Sequence, residues 1–265
     1  MDKSEPVGRK YYYLIKIQYL GFRMHGWQHQ PGLKTVEGLL KKTLRFVLPE
    51  RKFKILGAGR TDAMVSATGG AFELYLQGRP LENHDLFIQH FNQNLPPDIR
   101  ALEIREVSQE FNIIKDVMSK QYLYLFSFGQ KNHPFAASLV ACFQDQLDIE
   151  TMKVGASLFE GTHSFHNYCT KPSPQTLFKR TLSCCRIEEN REITASFFPE
   201  ETFLFRVAGK GFLRNQIRLM MGGLVLLGRG DLSLKELKNS LSEDCTEPIS
   251  FIAPGSGLHL NEVNF

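Results

Sequence analysis

Phe53-Lys54-Ile55-Leu56-Gly57-Ala58-Gly59-Arg60-Thr61-Asp62 leads through a small-residue stretch to Gly70-Ala71-Phe72-Glu73-Leu74-Tyr75-Leu76, and the whole reads as strand, loop, strand. Gly57 and Gly59 let the backbone turn tightly and approach a ligand. Arg60 and Asp62 are one residue apart, so in an extended loop they project to the same side. The loop therefore delivers a carboxylate beside a guanidinium. Asp62 can serve there as a nucleophile or base, kept ionised by Arg60. The competing reading is a polar turn whose aspartate only accepts backbone N–H bonds.

Working outward, Tyr11 to Tyr19 is a β-rich run and is expected to be a strand. After the Pro31-Gly32 turn, Thr35 is placed to cap a helix whose apolar positions Val36, Leu39, Leu40, Leu44 and Val47 keep helical spacing up to Pro49. A second helix is expected over about Asn83 to Asn94, stopped by Pro96-Pro97, and Ala101 to Val107 is a strand. The order β-α-β-β-α-β over the first 110 residues is the split βαβ, or ferredoxin-like, pattern. It then recurs: strand Gln121–Phe128, helix Ile149–Phe159, strands Leu182–Glu188, Ile193–Phe198 and Phe203–Ala208, helix Phe212–Leu227, and a short helix from Leu234. The expected fold is α+β, two ferredoxin-like (RRM-like) halves with antiparallel sheets joined around a central basic cleft. Residues 1–110 form the N-terminal domain carrying the loop and 111–265 the C-terminal domain. Segments 129–147 and 160–180 are the least regular, and loops of that length often carry function.

Composition narrows the class. The chain has 265 residues, 42% hydrophobic and 23% charged, as in soluble globular proteins. No apolar stretch reaches membrane-spanning length, and Met1-Asp2-Lys3-Ser4-Glu5-Pro6 lacks the apolar core of a signal peptide, so a cytoplasmic location without membrane partners is expected. Five cysteines without framework spacing suit a reducing compartment. His163, His166 and Cys169 recur every third residue and could bind zinc with Cys184 or Cys185. No CxxC pair exists, however, and the preferred reading is no metal. The net charge of +4 is uneven, since residues 1–60 hold 13 Lys or Arg against 4 Asp or Glu. A second basic zone runs through Arg206, Lys210, Arg214, Arg218 and Arg229 with no acid between Phe203 and Gly230. Clustered cations favour a polyanion partner through counterion release, although solvated helix faces produce such runs too.

Three further segments carry chemistry. In Tyr19-Leu20-Gly21-Phe22-Arg23-Met24-His25-Gly26-Trp27-Gln28, Arg23 and His25 form a basic turn able to meet RNA, while Trp27 is better read as anchoring the first helix. In Lys120-Gln121-Tyr122-Leu123-Tyr124, the two tyrosines share a strand face, and Tyr122 is either a stacking platform for a flipped base or an amphipathic strand residue. In Gly211-Phe212-Leu213-Arg214-Asn215-Gln216-Ile217-Arg218, the arginines are four apart and are expected on one helix face. A partly buried arginine needs a carboxylate, and Asp62 is the natural candidate; a structural ion pair is the other reading.

Together these segments resemble the TruA family of tRNA pseudouridine synthases. The Gly-Arg-Thr-Asp loop, the His-Gly-Trp-Gln turn, the Lys-x-Tyr-x-Tyr strand and the Phe-Leu-x-x-x-x-Arg helix ending in Met-x-Gly stand in the family's order. So do Phe159-Glu160-Gly161-Thr162-His163-Ser164-Phe165 and Ala253-Pro254-Gly255-Ser256-Gly257-Leu258-His259-Leu260, and the likeness runs from about Tyr12 to the end. It implies the pseudouridine synthase fold, a homodimer, tRNA bound across basic clefts, and no cofactor. It also implies Asp62 as catalytic aspartate, Arg60 as the arginine of its loop, Tyr122 as active-site tyrosine and Arg218 as the arginine pairing with the aspartate. Lys210 and Arg214 join Arg23 and His25 as expected RNA contacts. The family's familiar bacterial targets lie in the anticodon arm, around positions 38 to 40.

The chain departs from the family at Met64 and Ser66, where glycine and histidine are usual, at Leu20 in place of aspartate, and at Phe111-Asn112-Ile113-Ile114 in place of Phe-His-Ala-Arg. Met64, Ser66 and Ile114 motivate a rival, an RNA-binding or chaperone-like relative without catalysis, beside the plainer alternative of an α+β interaction module. A hydrolase would need a second carboxylate to activate water, and Glu73 is the next acid after Asp62.

Overall fold

The computed structural model describes residues 8–265; the N-terminal stretch Met1–Pro6 lies outside them. The chain is α+β with mostly antiparallel strands and divides into two compact units. One comprises the residues up to Met118 together with Leu260–Phe265, the other Ser119–His259. No helix among the described residues is long and apolar enough to cross a membrane.

The first unit contains β1 (Lys10–Tyr19), α1 (Val36–Val47), β2 (Phe53–Gly57), β3 (Ser66–Gln77), α2 (His84–Asn94) and β4 (Ile99–Val107). β1 lies between β3 and β4, β2 pairs on the far side of β3, and every pairing is antiparallel. The register sets Tyr13, Ile15 and Ile17 opposite Leu74, Phe72 and Gly70, and Tyr13, Ile15, Ile17, Phe72 and Leu74 are fully buried. α1 starts where the sequence reading puts it: the Thr35 side chain accepts from Gly38 N, and Val36, Leu40 and Leu44 are fully buried. Asn83 caps α2 in the same way through Leu86 N.

The second unit contains β5 (Ser119–Phe128), β6 (Ala141–Phe143), α3 (Ile149–Ser157), β7 (Gly161–Ser164), β8 (Lys179–Glu189), β9 (Phe203–Gly209), α4 (Gln216–Arg229) and α5 (Leu234–Asn239). β5, β9, β8 and β7 follow one another in the sheet with antiparallel pairing, and β6 adds to β5 in parallel. α3 packs on α4 and β8. α4 is apolar nearly all round, with Leu219, Met220, Leu224 and Val225 buried. A last strand, β10 (Leu258–Asn264), was not anticipated from the sequence, and its residues from Leu260 onward belong to the first unit beside β3.

Two expectations are corrected. Ile193–Phe198 is not a strand: Asn190 Oδ1 accepts Glu192 N and Ile193 N, both at 3.2 Å, which curls the chain into a side-chain-stabilised turn. Ile193, Phe197 and Phe198 instead pack against the buried cluster of Leu123, Leu125 and Leu204. The helix expected from Phe212 starts only at Gln216, because Asn215 adopts a left-handed backbone (φ 60°, ψ 7°).

Candidate active site

β2 and β3 hold the ends of the loop that carries Asp62, and the turn Met24–Trp27 holds its middle. Trp27 N donates to Thr61 O (3.0 Å) and Met64 N donates to Met24 O (3.0 Å). The Tyr19 and Thr61 hydroxyls lie 2.8 Å apart in the interior. The same turn starts α1, since Gly26 O accepts Val36 N and Trp27 O accepts Glu37 N. The Glu37 carboxylate returns the connection, accepting from His29 N, Gln28 Nε2 and Lys41 Nζ; against the opposing effect of burial, His29 and Lys41 hold its pKa below the usual range. Trp27 is buried beside Tyr19 (ring centroids 6.3 Å), so it anchors the helix and the loop in one core.

Backbone geometry shows how tight this latch is. Gly26 has φ +88°, and a Cβ there would stand 2.7 Å from Thr61 O and 3.1 Å from Asp62 C. Met64 has φ 67°, a left-handed conformation that favours glycine and costs other residues about 1 kcal/mol or more. Here methionine bears that angle, at the point where the sequence resemblance leads to an expectation of glycine. Ser66 takes up a local role as well, its hydroxyl accepting Gly21 N at 2.9 Å. Asp62 is half-buried, while Arg60 is exposed. Arg23 and His25 are exposed on the turn, with Arg23 Nη2 3.5 Å from Asp98 Oδ2 and Lys34 Nζ 2.8 Å from the same oxygen.

In the second unit, Tyr122 on β5 is buried opposite Val207, its ring edge-to-face with Phe212 at 5.2 Å. Tyr124 is fully buried and donates to Pro254 O (2.8 Å); burial raises its hydroxyl pKa strongly, and Arg218 opposes that rise. Arg218 is half-buried in the first turn of α4. Its Nε donates to Ala253 O (2.7 Å) and its Nη1 to Asn215 Oδ1 (3.2 Å), while Ala253 N donates back to Arg218 O (3.1 Å). Asn215 Nδ2 also donates to Thr170 Oγ1 at 2.8 Å. Sequence reasoning missed Asn215 and Ala253; the available signal was that asparagine is among the few residues to adopt left-handed backbone readily.

The basic zone in this unit is smaller than expected. Arg214 and Arg218 do not share a helix face, because Arg214 precedes the Asn215 kink and lies outside α4. Arg206 is 8% exposed and engaged by Glu188, Glu192 and Gln121. Arg229 pairs with Asp145 and lies over the Phe251 ring at 5.6 Å. Lys210 and Arg214 remain exposed. His163 and His166 are occupied by Glu160 O and by Ser164 and Cys245 O respectively, and among the described residues no group of three or more His, Cys, Asp and Glu is arranged to hold a metal ion.

Comparison with known proteins decides the family. A profile of the tRNA pseudouridine synthases matches residues 156–265. A tRNA pseudouridine synthase A from Thermosipho melanesiensis is 33% identical over 253 residues, covering 96% of this chain and 99% of that one. This chain belongs to the tRNA pseudouridine synthase family. Further relatives of the same description come from Exiguobacterium sibiricum (31% identical, covering 93% of this chain and 94% of that one) and Dictyoglomus thermophilum (29%, covering 95% and 98%). The family consists of isomerases acting on tRNA uridine, and this chain is such an enzyme.

Proposed function

We propose that the enzyme converts uridine to pseudouridine in the anticodon arm of tRNA, around positions 38 to 40, with Asp62 as the catalytic nucleophile. The observation that carries this reading is the Asp62 loop, whose neighbours Thr61 and Met64 are pinned by backbone bonds of 3.0 Å each within a chain alignable with tRNA pseudouridine synthases over nearly its full length. The reaction breaks the N-glycosidic bond, turns the detached uracil and rejoins it through C5. The target uridine is flipped out and stacked on Tyr122. Asp62 then attacks the sugar or drives elimination to a glycal-like intermediate. Arg218 is the cation that pairs with Asp62 and keeps it ionised, and Arg60 flanks it in the loop. Arg23, His25, Lys210 and Arg214 meet phosphate. The finer architecture belongs to the same proposal: two ferredoxin-like halves around a basic cleft, divided near residue 110, assembled as a cytoplasmic homodimer and working without a cofactor.

The test is a tritium-release assay on uridine-labelled tRNA. Asp62→Asn and Asp62→Ala abolish conversion while tRNA binding persists. Turnover near the wild-type rate in either variant overturns the assignment, and mapping the modified position in tRNA from cells with and without the gene tests the anticodon-arm site.

A further inference from the structure

The far end of β1 carries a second constellation suited to nucleic acid. Tyr12, Tyr75 and Lys54 stand side by side across β1, β3 and β2 in register, on the sheet face opposite buried Tyr13 and Leu74. The Tyr12 and Tyr75 rings meet edge to face at 5.5 Å, and Lys54 Nζ lies over the Tyr75 ring at 5.6 Å. Glu73, two residues earlier on the same face of β3, is fully buried and accepts Ile113 N at 3.3 Å. Tyr12 in turn lines a groove of about 570 Å³ together with Arg9, Lys10, Tyr11 and, from the β4 side, Glu106 and Gln109. Arg9 and Lys10 are exposed, and the Arg9 guanidinium lies over the Tyr11 ring at 5.3 Å.

Resting on the tRNA reading above, we infer that this groove is a second RNA site, holding one unpaired nucleotide outside the one that reacts. The Tyr12 ring supplies a stacking face for the base, Arg9 and Lys10 meet the flanking phosphates, and Tyr75 with Lys54 fixes the Tyr12 ring. The chemistry follows from the pairing of rings with cations: aromatic faces accept any base, and guanidinium and ammonium groups track the backbone. The groove volume lies in the range of small-molecule pockets and suits a single nucleotide. Distance separates it from the reaction. Tyr19, which touches Thr61 beside Asp62, is seven residues along β1 from Tyr12, about 23 Å at strand rise. One flipped nucleotide does not span that length, so the two sites hold different parts of the same RNA.

The experiment uses the full chain and a tRNA transcript whose only modified nucleoside is 4-thiouridine. Tyr12→Ala weakens tRNA binding about tenfold or more, the scale of one lost base stack, while Tyr12→Trp stays within about twofold of wild type. Arg9→Ala and Lys10→Ala each lower the salt slope of binding by about one. The single-turnover rate at saturating tRNA is unchanged in all of them, and photocrosslinks map to residues 9–12. Should Tyr12→Ala prove unfolded, the crosslink map and the two salt slopes decide alone. Wild-type affinity in both Tyr12→Ala and Arg9→Ala overturns the inference. So does the absence of crosslinks at residues 9–12, or a loss of self-association in place of RNA affinity. Because these readouts are of binding, failure of the catalytic assignment leaves them standing.

Discussion

Replacing Gly26 with alanine probes the latch under Asp62 directly. The new methyl carbon would lie 2.7 Å from Thr61 O, where ordinary contact begins at 3.4 Å, so the loop backbone must retreat by roughly 0.5 Å or more. A φ of +88° adds about 1–2 kcal/mol of strain for an L-residue. The retreat also stretches the Trp27–Thr61 and Met64–Met24 hydrogen bonds, each worth about 1 kcal/mol. Together these give a stability loss of about 2–4 kcal/mol, read from denaturant titration. A displacement of that size at Asp62 costs on the order of tenfold in the single-turnover rate, given that about 1 Å of misplacement costs around a hundredfold. Gly32→Ala is the control: φ is +75° but no atom lies within 4 Å of its Cβ, so it bears only the conformational cost and leaves the rate alone. If Gly26→Ala behaves like Gly32→Ala in both stability and rate, the latch argument is wrong.

Three other outcomes follow from the same geometry. Arg206→Met lowers stability by about 1–3 kcal/mol by taking a cation from Glu192 and leaving Glu188 only the exposed Arg186, discounted from a fully buried pair because both acids keep some exposure, yet leaves the salt slope of tRNA binding unchanged; Lys210→Ala and Arg214→Ala flatten that slope, as a salt titration of Kd would show. Burial holds the His259 pKa below the ordinary 6.5, against the opposing hydrogen bond that Nε2 makes to Leu139 O. The unfolded chain then takes up a proton first, so the stability from this group is full above pH 6.5 and declines below it by up to about 1.4 kcal/mol per pH unit until the folded pKa is reached; His259→Gln removes that component from a stability–pH curve. Met64→Gly releases the left-handed strain against the extra chain entropy of glycine, for a net gain of up to about 1 kcal/mol in urea titration, and a clear loss would contradict the strain reading.

The elements most legible in the sequence are those encoded by short-range rules. Thr35, the helical spacing from Val36 to Val47, and Pro49 suffice for α1, and the glycines around Arg60 suffice to read a loop between two strands. What escaped the sequence depends on partners far along the chain. Arg206 reads as a free cation until β9 is paired with β8, which sets Arg186 opposite it and brings Glu188, two residues further along the same face, within hydrogen-bond reach. The clamp on Thr61 and Met64 comes from residues 34 and 40 positions earlier, and no local pattern announces it. Ile193–Phe198 has strand composition, but one asparagine side chain at 190 outcompetes the ladder. The start of α4 was misplaced for a related reason, since apolar spacing continues back to Phe212 while the backbone at Asn215 does not.

Arg218 occupies the third residue of α4, a turn that contains no acid. Aligned peptide dipoles make that end of a helix positive, so a cation there opposes the local field by a few tenths of a kcal/mol or more. The fold offsets that cost with the bonds from the Arg218 guanidinium to Ala253 O and Asn215 Oδ1, which a glutamine there would give up. The same exchange would also lose much of the pull on anions at the helix mouth, so the arginine sets local charge at the expense of the helix that carries it.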